Sequence, residues 1–209
     1  MYSSVKNNDK LRKEKFILLS AKHDMVFLDK DEFGTLSYLK AFKLFNDNNG
    51  ELYNFCQKKS ADLSEEICIF DYKYSDAASD YSITYKQTVF FVNSKILGLP
   101  EFKMRPEHLG DKIAAYFGYD DINFETYPGF SEKYHLSGKD EYFIRYHFDD
   151  KVLRFFSKTH GWSIEAVNYF LIFYAHNHII PNDTLFDFFK LSLGIYDLFK
   201  SNNATPASL

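Results

Sequence analysis

The sequence predicts an α+β fold: an antiparallel β-sheet of about five to seven strands, covered by helices, with a C-terminal helix packed on it. Three observations predict it. Period-two alternation recurs from Leu52 to Asn93 in three runs joined by short polar connections, the pattern of an antiparallel meander. Apolar residues at helical spacing return from Leu185 to Phe199. Strands also bunch between helices, without the crossover helix that each parallel pair would need.

In chain order, residues 1–24 read as a basic N-terminal helix or arm. Asp9 suits an N-cap before KLRKEKFILLSAKH, and Lys6, Lys10, Arg12, Lys13 and Lys15 outnumber Asp9 and Glu14. Such a start can touch anionic lipid at about 1 kcal/mol per cation; a charge run more commonly marks a solvated helix face. Residues 25–200 read as a single α+β domain and 201–209 as a disordered tail. Thr35 to Phe45 is a short helix. LYNFCQKK, EICIFDYKY and YSITYKQTVFFVN form the meander, turned at Ser60–Glu65 and at SDAASD. On its middle strand Cys68, Phe70, Tyr72 and Tyr74 share one face, and Ile67, Ile69, Asp71 and Lys73 the other.

LPEF is extended and leads to Pro106, expected at the first turn of a helix closed by Gly118. A Pro128-Gly129 turn precedes the strand KYHLS. Asp140 and Asp149 are expected N-caps of the helical stretch that follows. WSIEAVN and YFLIFYA form a last strand pair, the second apolar on both faces and therefore covered on both. Pro181 and Asp183 open the final helix.

Composition narrows the function. The chain has 209 residues, net charge −4 and a pI near 6.0, which offers no field for nucleic acid. Its 23 Phe and 16 Tyr point to a Phe-rich core. The longest apolar run, Tyr169 to Ala175, is far below the ~18 residues of a membrane span, so no transmembrane segment is expected. Two cysteines, Cys56 and Cys68, read as free thiols of a cytoplasmic protein, cross-strand neighbours about the Ser60–Glu65 connection. No glycine-rich phosphate loop, Cys-x-x-Cys or His-Glu-x-x-His occurs, and no cofactor is expected.

The candidate site lies on the meander. A symmetric SDAASD hairpin would bring Asp71 near Tyr85 and Gln87 near Ile69, with Tyr72, Tyr74, Tyr81 and Tyr85 as a tyrosine patch suited to a partner. Asp71 held by a tyrosine hydroxyl could take part in proton transfer, or accept hydrogen bonds and contribute structure alone. Asp71, Tyr72, Tyr74, Tyr85 and Gln87 are thus the binding candidates. His176 and His178, two apart on a strand, share a side and are the metal candidates, with His135 or Glu165 as third ligand. The paired carboxylates Asp120-Asp121 and Asp149-Asp150 read as turn and cap residues.

IFDYKY (69–74), QTVFF (87–91), LPEFKMRPE (99–107), DINFETYPGFSEKYHLSGKDE (121–141) and WSIEAVNYFLIFY (162–174) together resemble an uncharacterised bacterial domain-of-unknown-function family, DUF3137. The resemblance implies a domain often attached to membrane helices on the cytoplasmic side, with no established activity and no catalytic residue to carry over. The resulting expectation is a non-catalytic binding or regulatory module, cytoplasmic and membrane-peripheral, whose partner is a protein or the membrane surface. The alternative is a hydrolase-like enzyme using Asp71 or the His176/His178 cluster.

Overall fold

A computed structural model describes residues 2–31, 34–45, 50–76, 83–107 and 120–203. The fold is α+β. Eight strands form the sheet: β1 Val26–Lys30, β2 Glu51–Lys59, β3 Glu65–Asp76, β4 Ile83–Ser94, β5 Leu99–Pro106, β6 Tyr134–Gly138, β7 Ser163–Asn168 and β8 Phe170–Tyr174. Their order is β1-β2-β3-β4-β8-β7-β5-β6, and the registered pairs are antiparallel. Six α-helices occur among the described residues: α1 Tyr2–Lys22, α2 Thr35–Leu39, α3 Pro128–Ser131, α4 Glu141–His147, α5 Asp150–Ser157 and α6 Leu185–Asn203. The chain divides into two compact units, Met1–Phe91 with Asn177–Leu191, and Val92–His176 with Ser192–Leu209.

In the first unit α1 lies on β1 and β2 and buries Phe16 and Leu19. The other sheet face is covered after α2 and a 3-10 turn at Lys43–Phe45, where Phe45 meets Phe70 and Tyr72 at ring distances of 6.3 and 4.6 Å. In β2, Tyr53 pairs with Asp71 and Cys56 with Ile69, so Asn54 and Phe55 together oppose Phe70. That extra residue is a β-bulge, and Asn54 takes it at φ +50°, a conformation asparagine tolerates better than most.

In the second unit Phe102, Met104, Leu136, Ile164 and Phe173 make an apolar sheet face. Phe102 packs on Phe148 and on Phe199 of α6, at 5.1 and 5.8 Å. Asp140 caps α4 by accepting from the Phe143 amide, and Asp149 caps α5 by accepting from Lys151 and Val152, as their spacing implied. Asn168 at φ +54° turns β7 directly into β8. The α6 residues Leu185, Phe188, Phe189, Ser192, Ile195, Tyr196 and Phe199 are all buried, which bears out the helical spacing.

Four local expectations need correcting. The strand number is eight because VFLDK (β1) pairs as an edge strand and the whole of Leu99–Pro106 pairs with both β6 and β7. Pro106 ends that strand instead of opening a helix; a strand end is where a missing N–H is tolerated. The rest of that expected helix, the SDAASD turn and Tyr81 lie outside the described residues. Asp9 sits inside α1, which begins at Tyr2 and runs through the exposed Asn7 and Asn8. Pro128-Gly129 starts a helical turn, with proline in its first turn.

Gly138 has no room for a side chain. A Cβ there would overlap the Glu101 carbonyl oxygen and lie 3.0 Å from Phe102 Cα. Both are backbone atoms of the paired strand, so neither can rotate away. Gly138→Ala is expected to lower stability by about 1–3 kcal/mol, read as a lower urea midpoint with an unchanged m-value.

Candidate functional site

Asp71 stands on the β3 face that α1 covers, and it is fully buried. Arg12, only 8% exposed, grips it with a two-pronged contact: Nε donates to Oδ2 at 2.9 Å and Nη2 to Oδ1 at 2.8 Å. Nη2 also donates to Thr88 Oγ1 at 2.9 Å, while Nη1 donates to the Ile180 carbonyl at 2.6 Å and to Asn182 Oδ1 at 2.9 Å. All five guanidinium N–H groups therefore have acceptors. Asp71 in turn accepts from Asn54 Nδ2 at 3.1 Å and from the Thr88 hydroxyl at 2.8 Å. Thr88 Oγ1 completes its own set by accepting from the Ile180 amide at 3.0 Å. With both carboxylate oxygens engaged, the arrangement suits holding elements together better than exchanging protons with a substrate.

Sequence reasoning misses how this network closes: it places Arg12 among the cations of a basic arm or solvated helix face, and Asn54, Thr88 and Asn182 carry no motif. One signal was available. Arg12, Phe16, Leu19 and His23 recur at helical spacing, which places the arginine in line with the buried stripe of α1. The hairpin contacts are also displaced. Asp71 meets Thr88, and Tyr74 stacks near Tyr85 at 5.3 Å, each three residues along β4 from the symmetric pairing expected.

The other binding candidates occupy the opposite face. Tyr72 stacks on Tyr74 at 5.5 Å, Tyr74 reaches Tyr85, and the Tyr74 hydroxyl donates to Asn177 Oδ1 at 2.8 Å. Gln87 Oε1 accepts from the Asn177 amide at 3.0 Å. Tyr72 Oη and Gln87 Nε2 are buried and have no hydrogen-bond partner among the described residues. Burial, with Tyr74 adding to it, pushes the Tyr72 phenol up to about 12. The backbone of Gly50 lies against the Tyr72 ring, where any side chain would collide. Tyr74 and Tyr85 are half-buried, so the structure places four of the five candidates on one aromatic strip and Asp71 behind it.

His176 and His178 do not sit on a strand. β8 ends at Tyr174, and Asn177 between the two histidines has φ +52°, which breaks the alternation that would aim both imidazoles to one side. His135 pairs with Asp121, Nδ1 to Oδ1 at 3.0 Å, and Glu107 brings a third ligand atom into a group spanning 4.8 Å. Glu165 is buried and bound to Lys103 Nζ at 3.0 Å and to the Tyr174 hydroxyl at 2.7 Å. Burial and, secondarily, Lys103 lower the His176 pKa, so neutral imidazole predominates near pH 7.

Cys56 and Cys68 are free, as expected, but they are not cross-strand neighbours. Cys56 pairs with Ile69, and Cys68 pairs with Gln57. Because faces alternate, the two sulfurs lie on opposite sides of the sheet, where no disulfide can join them.

Two outcomes follow from this geometry. Arg12→Met leaves Asp71 buried without its counter-charge and is expected to destabilise by about 3–5 kcal/mol, whereas Arg12→Met with Asp71→Leu recovers much of that loss; chemical denaturation of the three variants reads it. Burial, then Asp71, pushes the Cys56 thiol up to about 12, and burial raises Cys68 as well. Thiolate is thus scarce at pH 8. Alkylation of the native protein should be slow, with both thiols reacting rapidly in denaturant.

No family model matches the chain, and no curated protein matches its sequence. Among solved structures, the fold is similar to the crystal structure of the mycobacterial trehalose monomycolate transport factor A, TtfA. The TM-score is 0.57 at 11% identity, over 94% of this chain and 98% of that one. At that identity the likeness concerns the fold.

Proposed function

We propose that this chain is a non-catalytic binding module that works against an anionic membrane surface, with α1 as its contact face. The observation that carries this reading is the outer side of α1. Leu11, Ile17 and Leu18 are 46, 42 and 57% exposed, although they belong to a helix whose other side is buried. Leu11, Lys15, Leu18 and Lys22 form one stripe at spacings of four, three and four, with Lys10 and Ile17 beside it and Glu14 as the acidic member. No helix among the described residues is long and apolar enough to cross a membrane. An apolar stripe edged with lysines suits the headgroup boundary, where leucines enter and lysines stay with the phosphates.

Two further points support the reading. The buried Arg12–Asp71 pair fixes the rotation of α1, so the stripe is presented in one orientation. The fold is also shared with a protein named as a transport factor, and binding fits such a fold without requiring a reaction centre.

The test is flotation with phosphatidylcholine vesicles, with and without phosphatidylglycerol. Recruitment is expected only to the anionic vesicles and should weaken between low and high salt. It should be lost in Leu11→Gln with Leu18→Gln, and reduced in Lys10→Gln with Lys15→Gln. Arg12 is left intact in these variants, because it belongs to the buried pair. Absence of recruitment, or recruitment that ignores both sets, refutes the proposal.

A further inference from the structure

The second unit buries a polar sheet face. Lys103 and Arg105 project to the same side of β5. Lys103 is paired with Ser137 on β6 and Glu165 on β7, and Arg105 with His135 on β6. Ser163, one position beyond the Met104–Ile164 pair, takes the β7 place on the rung of Arg105. Ser137 and Ser163 are buried.

The two cations on this face are treated differently. Lys103 has its counter-charge in Glu165, at 3.0 Å. Arg105 is only 6% exposed and donates to the Pro106 carbonyl at 3.2 Å, and among the described residues no carboxylate lies within ion-pair distance of it. The nearby carboxylate Asp121 is engaged elsewhere, by His135 Nδ1 and by the Leu136 amide at 2.9 Å, while Glu107 is exposed. A guanidinium taken this far out of water without an opposite charge is costly, and an anion that supplies two oxygens repairs the deficit.

We propose that Arg105 is the centre of an oxyanion-binding site, with Ser163 and Ser137 as hydroxyl donors and His135 at its border. It would hold one phosphate or carboxylate group, carried free or as the head of a larger molecule. Arginine is the suited residue, because its planar fork matches two oxygens of either group. This site does not depend on α1 or on membrane contact.

Thermal unfolding and calorimetric titration test it, using sodium phosphate and sodium acetate against sodium chloride at matched ionic strength. At least one oxyanion should raise Tm above the chloride control and bind the wild-type protein. A response to phosphate alone assigns a phosphate group, and a response to acetate as well admits a carboxylate. Arg105→Lys, which keeps the charge and loses the fork, should bind at least tenfold more weakly, and Ser163→Ala several-fold more weakly. Arg105→Gln should lose the Tm rise while unfolding, without oxyanion, at or above the wild-type temperature, since it removes a buried charge that has no carboxylate partner among the described residues. Neither anion acting beyond chloride, or Arg105→Lys responding as the wild type does, overturns the proposal.

Discussion

The Arg12–Asp71 pair is the constraint on which the first unit depends. A guanidinium and a carboxylate out of water are tolerable only if every donor and every lone-pair direction is answered, and here they are. Answering them needs groups from α1, from the bulge of β2, from β3, from β4 and from the segment at Ile180–Asn182. Five pieces of chain must therefore be in register together. Apolar packing would tolerate a small rotation of α1; this pair does not, and its outer leucines consequently face outward in one setting.

The bulge shows how local irregularity serves that constraint. Without the additional residue between Tyr53 and Cys56, alternation would not deliver Asn54 to Asp71. The positive φ at Asn54 is compensated by the bond its side chain makes. The second unit solves the opposite problem. One of its sheet faces is a Phe-rich core, while the other carries Lys103, Arg105, Glu165 and two serines below the surface, with Lys103 and Glu165 closed against each other.

Much of the fold was legible because it rests on periodicity. The meander, the β7–β8 pair, the two Asp caps and the buried stripe of α6 are all local patterns, and each appears where its pattern lies. Elements without a strong local pattern were missed: VFLDK is too short and exposed to announce an edge strand, and Pro106 invited a helix while pairing on β6 overrode it. The site was legible only in part. Asp71 stood out as a carboxylate among strand residues, but its partners lie 59 residues before it, 17 after it, and in a segment without a motif. Register errors explain the rest. A displacement of three along β4 exchanges Tyr85 for Thr88 as the neighbour of Asp71, and one rung moves Cys68 from Cys56 to Gln57. Side-chain alternation makes every such slip a change of face or of partner.

The first unit is discontinuous along the chain, and this bears on its birth at the ribosome. Arg12 emerges early, yet the Ile180 carbonyl and Asn182 that take two of its N–H groups lie 168 and 170 residues later. At roughly 5–20 residues per second, synthesis delivers those acceptors some ten to thirty seconds after the arginine. Asp71 and Thr88 are made well before then and can already answer Nε and Nη2, so it is the Nη1 corner of the guanidinium that stays open until the segment at Ile180–Asn182 arrives.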